Sequence, residues 1–266
     1  MTLYDAHNHL QDDRLKPHLS AVMAAVQAAS ISRMVVNGAC EDDWPAVLQL
    51  ARQFPCVLPS FGYHPWYVKD RTPAWQPALV NCLDQVPSAI GEIGLDRWIK
   101  DHDTAQQEEV FLWQLRLAAE RNLPVSIHCI QAWGRLLEIL QSEPLPRCGF
   151  LLHSYGGPPE MIPALARLGA CFSLPGYFAH ERKSRQRETF RHVPPDRLLI
   201  ETDAPDQPLP PARVRFPLLD SAGKPVNHPA NLGAVYEFAA ELLGEPLDKL
   251  AARVESNFLR LFGAVA

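Results

Sequence analysis

Leu3-Tyr4-Asp5-Ala6-His7-Asn8-His9 separates two architectures. A short strand-like run, Leu3–Asp5, leads into a turn that contains no glycine. A doubly wound dinucleotide-binding sheet wants a glycine-rich turn after its first strand, where backbone and helix N-terminus approach a pyrophosphate. Here two histidines stand two residues apart. In extended backbone such a pair points the same way, so both imidazoles can reach one ion. Downstream, strand-like runs recur at Arg33–Asn37, Val57–Gly62, Ala89–Leu95, Pro124–His128, Gly149–His153, Ala170–Leu174 and Leu198–Thr202, which makes eight in all. Near-continuous apolar runs of this kind mark parallel strands buried on both faces.

Helical patterns lie between the runs. Asp42-Asp43-Trp44-Pro45 offers an acidic cap and a proline in the first turn. Thr104-Ala105-Gln106-Gln107 reads as a capping box before an amphipathic stretch ending at Asn122. Pro158-Pro159-Glu160 starts another helix, stopped by Gly169, and 231–243 and 247–261 read as two closing helices. Eight strands alternating with helices over about 250 residues predict a (β/α)8 TIM barrel. With no internal repeat and no linker, residues 1–266 are expected to form a single domain. The proline-rich 204–230 segment reads as a long loop on the face where barrels keep their active sites.

Composition narrows the function. Hydrophobic residues make up 47% and charged residues 21%, the balance of an ordinary globular protein. The formal net charge of −5 argues against a general nucleic-acid coat, because non-specific DNA affinity comes from Lys and Arg on phosphates. The 25 prolines exceed the usual roughly 5%, without low-complexity sequence, and suggest rigid loops. The six cysteines form no C-x-x-C pair and read as reduced thiols. No apolar run is long enough to span a bilayer, and Met1–Asp5 has no signal-like core, so a cytoplasmic location is expected. No obligate protein partner is evident. No G-x-S-x-G elbow, P-loop or Rossmann fingerprint appears.

The polar residues that close the strands carry the chemistry. His7 and His9 follow the first run, Glu92 lies in the fourth, His128 and His153 end the fifth and sixth, and Asp203 follows the eighth. A lone histidine at a strand end is more often a hydrogen-bonded core residue. Six ligand-type residues on five strands of one barrel point instead to a metal centre, at the barrel face that holds catalytic groups. Glu92 sits in Ile90-Gly91-Glu92-Ile93-Gly94, where a lone buried charge would be costly and a cation would remove the cost. His18, His102, His180 and His192 lack such placement and read as solvated.

These segments resemble a known family. Asp5-Ala6-His7-Asn8-His9, Gly91-Glu92-Ile93-Gly94-Leu95-Asp96 and Glu201-Thr202-Asp203-Ala204-Pro205 are similar to the three signature segments of the TatD family of metal-dependent hydrolases. Gly62-Tyr63-His64-Pro65, Asn227-His228-Pro229-Ala230-Asn231 and Asn257-Phe258-Leu259-Arg260-Leu261-Phe262 extend the resemblance over the whole chain. It implies an amidohydrolase-type barrel with two divalent ions. His7, His9 and Asp203 would hold one ion with Glu92, and His128 and His153 the other, Glu92 bridging. The sequence departs from the family pattern at Ile130, at Arg97-Trp98 and at Tyr155-Gly156-Gly157, all at positions where substrate would lie.

The expected chemistry follows. Two ions roughly 3.5–4 Å apart activate a water and polarise the scissile group, with Asp203 as general base and Glu92 as the bridge. Four histidines favour Zn²⁺ or Mn²⁺, while the resemblance keeps Mg²⁺ as a candidate. The resemblance implies phosphodiester cleavage in DNA, as a deoxyribonuclease trimming ends. The alternatives are a small-molecule or aminoacyl ester or amide hydrolase on the same centre, or a barrel that only binds metal. His64, Arg185 and Arg187 are the expected substrate-binding residues. Arg185 and Arg187 belong to a basic cluster with Arg182, Lys183 and Arg191, which also reads as a solvated helix face, and Arg213 and Arg215 are further phosphate candidates.

Overall fold

In the computed structural model, which describes residues 1–101 and 103–265, the eight expected strands form one sheet. They are β1 Leu3–Asn8, β2 Ile31–Asn37, β3 Val57–Phe61, β4 Ala89–Asp96, β5 Val125–Ile130, β6 Phe150–Leu152, β7 Ala170–Pro175 and β8 Leu198–Glu201. Each pairs in parallel with the next in chain order, as crossover helices require. The intervening helices are α1 Leu19–Ala28, α2 Trp44–Gln53, α3 Trp75–Leu83, α4 Thr104–Arg121, α5 Trp133–Ser142, α6 Ile162–Arg167 and α7 Ser184–Phe190, followed by α8 Leu232–Leu243 and α9 Leu247–Phe262. The architecture is a (β/α)8 barrel. His102 lies outside the described residues.

The seam between β8 and β1 is closed by other means than a regular ladder. The Asp203 amide donates to His7 O (2.9 Å) and the His9 amide to Ala204 O (2.7 Å). The buried Asp5 carboxylate accepts from the Thr202 amide (2.9 Å) and the Thr202 hydroxyl (2.6 Å). The seam therefore locks the ends of β1 and β8, and with them His7, His9 and Asp203, into one unit. Between strands and helices the core is built of fully buried side chains such as Val22, Val47, Leu79, Leu115, Leu136, Val235 and Phe258. Each stabilises the fold by roughly 1.5–3 kcal/mol through area removed from water.

Several local details differ from expectation. The first strand runs on to Asn8 and the fifth to Ile130, so His7 and His128 stand inside strands. The cap of α4 is Asp103, one residue earlier than the Thr104 reading. Asp103 accepts from the Gln106 amide (3.0 Å), and the Gln106 side chain donates back (2.7 Å). Asp43 opens α2, but its carboxylate turns backward to accept the Ala39 and Cys40 amides and does not cap the helix. The 204–230 segment is a loop, as expected, yet it carries a two-stranded antiparallel ribbon, Leu218–Leu219 with Pro225–Val226. Among the described residues no helix is long and apolar enough to cross a membrane.

Candidate metal centre

The strands deliver their polar ends to one point. Gly94 shows how closely β4 and β5 approach there. It pairs with His128, its φ is +151°, and a Cβ at this position would lie 1.9 Å from His128 O. Only glycine fits, and its absence of bulk lets Glu92 and His128 share a site.

Glu92 is buried at the centre, and its two oxygens face different neighbours. Oε2 lies 3.3 Å from His7 Nε2 and 3.2 Å from His9 Nε2. Asp203 Oδ1 lies 3.6 Å from each of the same two nitrogens. Oε1 lies 2.9 Å from His128 Nδ1, 2.9 Å from His153 Nε2 and 3.4 Å from His64 Nε2. The six residues expected as ligands are thus gathered around one carboxylate, His7, His9 and Asp203 toward Oε2 and His128 and His153 toward Oε1, with His64 at the edge of the second group and His153 also within reach of His7 and Asp203.

The outward-facing atoms set which nitrogens are free. The second ring nitrogen of His9, Nδ1, lies 2.8 Å from Asn37 O, and a carbonyl can only accept. Nδ1 therefore holds the proton and Nε2 turns a lone pair inward. His128 Nε2 lies 2.9 Å from Asp96 Oδ2, so its Nδ1 is the inward lone pair. His7 Nδ1 lies 3.1 Å from both Ser126 Oγ and Asn37 Nδ2, which turns Nε2 toward the site. His64 is the reverse case. Its Nδ1 accepts the Trp66 amide (3.2 Å), so in the neutral ring Nε2 carries the proton and is a donor toward the site.

Charge divides these rings differently. Burial lowers His7 and His64 to about 4, so both are neutral near pH 7. For His9, burial is outweighed by the Glu92 hydrogen bond and the charges of Glu92 and Asp203, which raise it to about 9. Burial alone would raise Glu92, but the surrounding histidines hold it well below the usual carboxylate range. Burial pushes Asp203 up to about 7. The donor set fits divalent cations: imidazole nitrogens of His7, His9, His128 and His153 face buried carboxylates, with ligand atoms in groups within 4.8 Å of one another, and a bound cation would take the place of the proton on His9. Asp203 itself has φ +53°, a left-handed backbone that Asp tolerates better than most residues.

Other groups hold these side chains in place and were not singled out from sequence. Asp96 stands two strand residues beyond Gly94 and four beyond Glu92, so strand alternation was the available signal. Its Oδ2 accepts from Trp66 Nε1 (2.7 Å) and His128, and its Oδ1 from the Trp98 amide (2.7 Å). Glu201 is buried 3.7 Å from His153 Nδ1 and accepts the Ser154 amide (2.8 Å). Gln207 donates to Asp203 Oδ2 (2.6 Å).

The basic candidates are placed differently from one another. Arg185 is exposed on α7. Arg187 turns inward, its guanidinium donating to Phe178 O (2.9 Å) and His180 O (2.5 Å). Arg191 pairs with Glu188 (3.3 Å), and Arg182 donates to the Tyr177 hydroxyl (2.6 Å). Arg213 and Arg215 pair with Glu241 and Glu237 on α8. Of the histidines read as solvated, His192 is exposed, His18 is half-buried, and half-buried His180 has Nε2 3.1 Å from Pro208 O.

Comparison with known proteins agrees with this arrangement. The family described as TatD related DNase matches residues 4–263. A 3'-5' ssDNA/RNA exonuclease TatD from Escherichia fergusonii is 31% identical over 268 residues, 98% of this chain and 99% of its own. The crystal structure of YjjV, a TatD homologue from Escherichia coli K12, superimposes with a TM-score of 0.88 at 27% identity, covering 98% of each chain. A TatD family hydrolase from Entamoeba histolytica shares the fold, with a TM-score of 0.87 at 18% identity over 98% of each chain. A barrel that gathers histidines and carboxylates around one buried glutamate, matched to this family from one end to the other, leaves one assignment: the chain belongs to the TatD family and is a metal-dependent hydrolase.

Proposed function

We propose that the chain, acting as one catalytic unit over residues 1–266, is a nuclease that hydrolyses phosphodiester bonds at the ends of single-stranded nucleic acid. One observation carries the centre: the two oxygens of Glu92 each face a separate set of ligand atoms. His7, His9 and Asp203 with Oε2 would hold one divalent ion, and His128 and His153 with Oε1 a second. When bound, Zn²⁺, Mn²⁺ or Mg²⁺ would supply an activated water and offset negative charge on the phosphate. Relatives about 31% identical and named ssDNA/RNA exonucleases support the substrate class. The six free cysteines support a reducing compartment, taken to be the cytoplasm.

The protein's own groups divide the remaining work. Asp203 takes the proton of the attacking water at Oδ1, while Gln207 holds Oδ2. A carboxylate placed beside the attacking water suits a general base. That proton then passes to the oxygen released when the P–O bond breaks. His64, neutral and presenting Nε2–H, donates to a non-bridging phosphate oxygen. Exposed Arg185 draws the anionic strand in, and Arg187 shapes the turn beside it.

The test is metal analysis joined to a substrate panel. Wild-type protein reconstituted with Mn²⁺ is expected to bind up to two ions per chain and to shorten single-stranded DNA. Glu92→Gln should lose at least about a hundredfold of activity and weaken both ions, because its amide nitrogen cannot ligate, with the fold retained by circular dichroism. Two bound ions with turnover of an aminoacyl ester but none of DNA would replace the nuclease reading. Absence of bound ions would remove the two-ion centre.

A further inference from the structure

We propose that Trp66, with Trp98 beside it, is a stacking platform for a nucleobase of the bound strand; this rests on the nuclease reading above. Among the described residues, six large hydrophobic side chains are exposed. Three of them, Trp66 (46%), Tyr67 (39%) and Trp98 (63%), follow directly after β3 and β4, at the mouth over the metal centre. Solvent-exposed indoles at a catalytic rim mark a place that a flat partner covers.

Trp66 is held as a platform would be. Its indole Nε1 donates to Asp96 Oδ2 (2.7 Å), so the polar edge is satisfied and what remains open is apolar ring. The ring meets His64 edge to face at 5.2 Å and lies 6.4 Å from the His128 ring. Its turn is rigid: the Trp66 amide donates to His64 Nδ1 and the Tyr67 amide to His64 O (3.0 Å). Little side-chain freedom is left to lose on binding. Trp98 is tied to the other oxygen of the same Asp96 through its amide (2.7 Å). One carboxylate thereby holds Trp66 by its indole and Trp98 by its backbone, beside a ring that faces Glu92.

The occupant follows from that spacing. A phosphate at the centre carries its base only one sugar away, and every base has a face that stacks on an aromatic ring. Arg97, exposed between Asp96 and Trp98, adds the positive charge that a neighbouring phosphate would meet. A planar, uncharged base on an indole, with its backbone near an arginine, satisfies the whole rim. Stacking tolerates any base, so the platform favours single strands without fixing a sequence.

The experiment uses full-length protein in EDTA and reads quenching of tryptophan fluorescence. The probes are a five-nucleotide single-stranded DNA and the same backbone with abasic residues. Wild type should bind the intact strand about tenfold more tightly than the abasic one. In Trp66→Ala that preference should vanish, and in Trp66→Phe most of it should return, although phenylalanine cannot donate to Asp96. Trp98→Ala should lose a smaller share. Equal affinity of wild type for both strands would overturn the platform, as would a Trp66→Phe protein as defective as Trp66→Ala, which would make Trp66 only a brace for Asp96. DNA hydrolysis with Mn²⁺ is scored separately. Cleavage without base preference sinks the platform alone, whereas base preference without cleavage sinks the nuclease reading and leaves a nucleic-acid binding site.

Discussion

Asp96 orders more of the site than its distance from the reacting atoms suggests. Its two oxygens accept four donors: Trp66 Nε1 and His128 Nε2 on Oδ2, and the Trp98 and Ile99 amides on Oδ1. Burial alone would raise its carboxyl, but the hydrogen bonds from His128 and Trp66 outweigh it and hold it at about 2. In Asp96→Asn one oxygen becomes an NH2 group. Whichever way that amide flips, a donor faces a donor. The orientation of His128 and its inward lone pair should then loosen, weakening the ion held by His128 and His153 by about ten- to a hundredfold while the His7–His9 ion changes little. Calorimetric titration with Mn²⁺ resolves the two sites, and two unaltered affinities would remove Asp96 from the metal's support. At this scale the ligands were legible in the sequence and their supports were not. His7, His128 and Asp203 interrupt apolar runs, which a linear reading detects. Asn37, Ser126 and Glu201 touch His9, His7 and His153 across many residues of chain, and each alone looks like an ordinary polar residue in a strand.

Among the elements, the segment after the long loop shows how a resemblance gains a physical cause. Asn227 Nδ2 donates to Thr202 O (2.7 Å), and Asn231 Oδ1 accepts the Arg215 and Phe216 amides (2.9 Å each). The segment fastens the 204–230 loop to the end of β8. His228 begins the turn into α8, its Nδ1 accepting the Ala230 amide (2.9 Å). Burial, reinforced by the charge of His18, lowers His228 from the usual 6.5 to about 4. A lowered folded-state value gives stability that is present above about 6.5 and lost as pH falls through 4. At pH 5 the loss from this group is on the order of 2 kcal/mol. Asparagine can still accept at a helix start, so His228→Asn should keep the cap and remove the titration. Between pH 7 and pH 5, in EDTA, the variant should gain about 2 kcal/mol relative to wild type in urea unfolding. A constant difference across that range would show that His228 does not titrate as argued. The strands themselves were legible because both faces are buried and their residues are apolar throughout. The cap at Asp103 was displaced by one residue because Thr104 and Asp103 both suit the position, and only backbone geometry chooses. The ribbon at 218–226 went unseen because two-residue strands have no period to read.

Across the whole molecule, charge decides how a polyanion is approached. A chain at −5 cannot hold nucleic acid by its general surface, so steering falls to a few arginines near the mouth. The structure separates the two expected ones. The Arg187 guanidinium bonds to the Phe178 and His180 carbonyls, which makes it part of the turn after β7. Arg185 is exposed on α7 and free to meet a phosphate. With two or three phosphates neutralised, the logarithm of affinity for single-stranded DNA should fall with the logarithm of salt at a slope of about −1.4 to −2.1, since each phosphate contributes about −0.7. Arg185→Ser should reduce that slope by about 0.7 and raise KM more than it lowers kcat, because the residue lies away from the reacting atoms. Arg187→Ser should instead lower the melting temperature and alter the slope little, because two half-buried carbonyl contacts and one exposed one are lost rather than a phosphate contact. The two variants are compared between 50 and 300 mM NaCl, a range chosen at roughly the scale over which such electrostatic binding weakens. If Arg187→Ser flattens the salt dependence and Arg185→Ser leaves it intact, the steering charge belongs to the inner arginine, and the turn must open to present it.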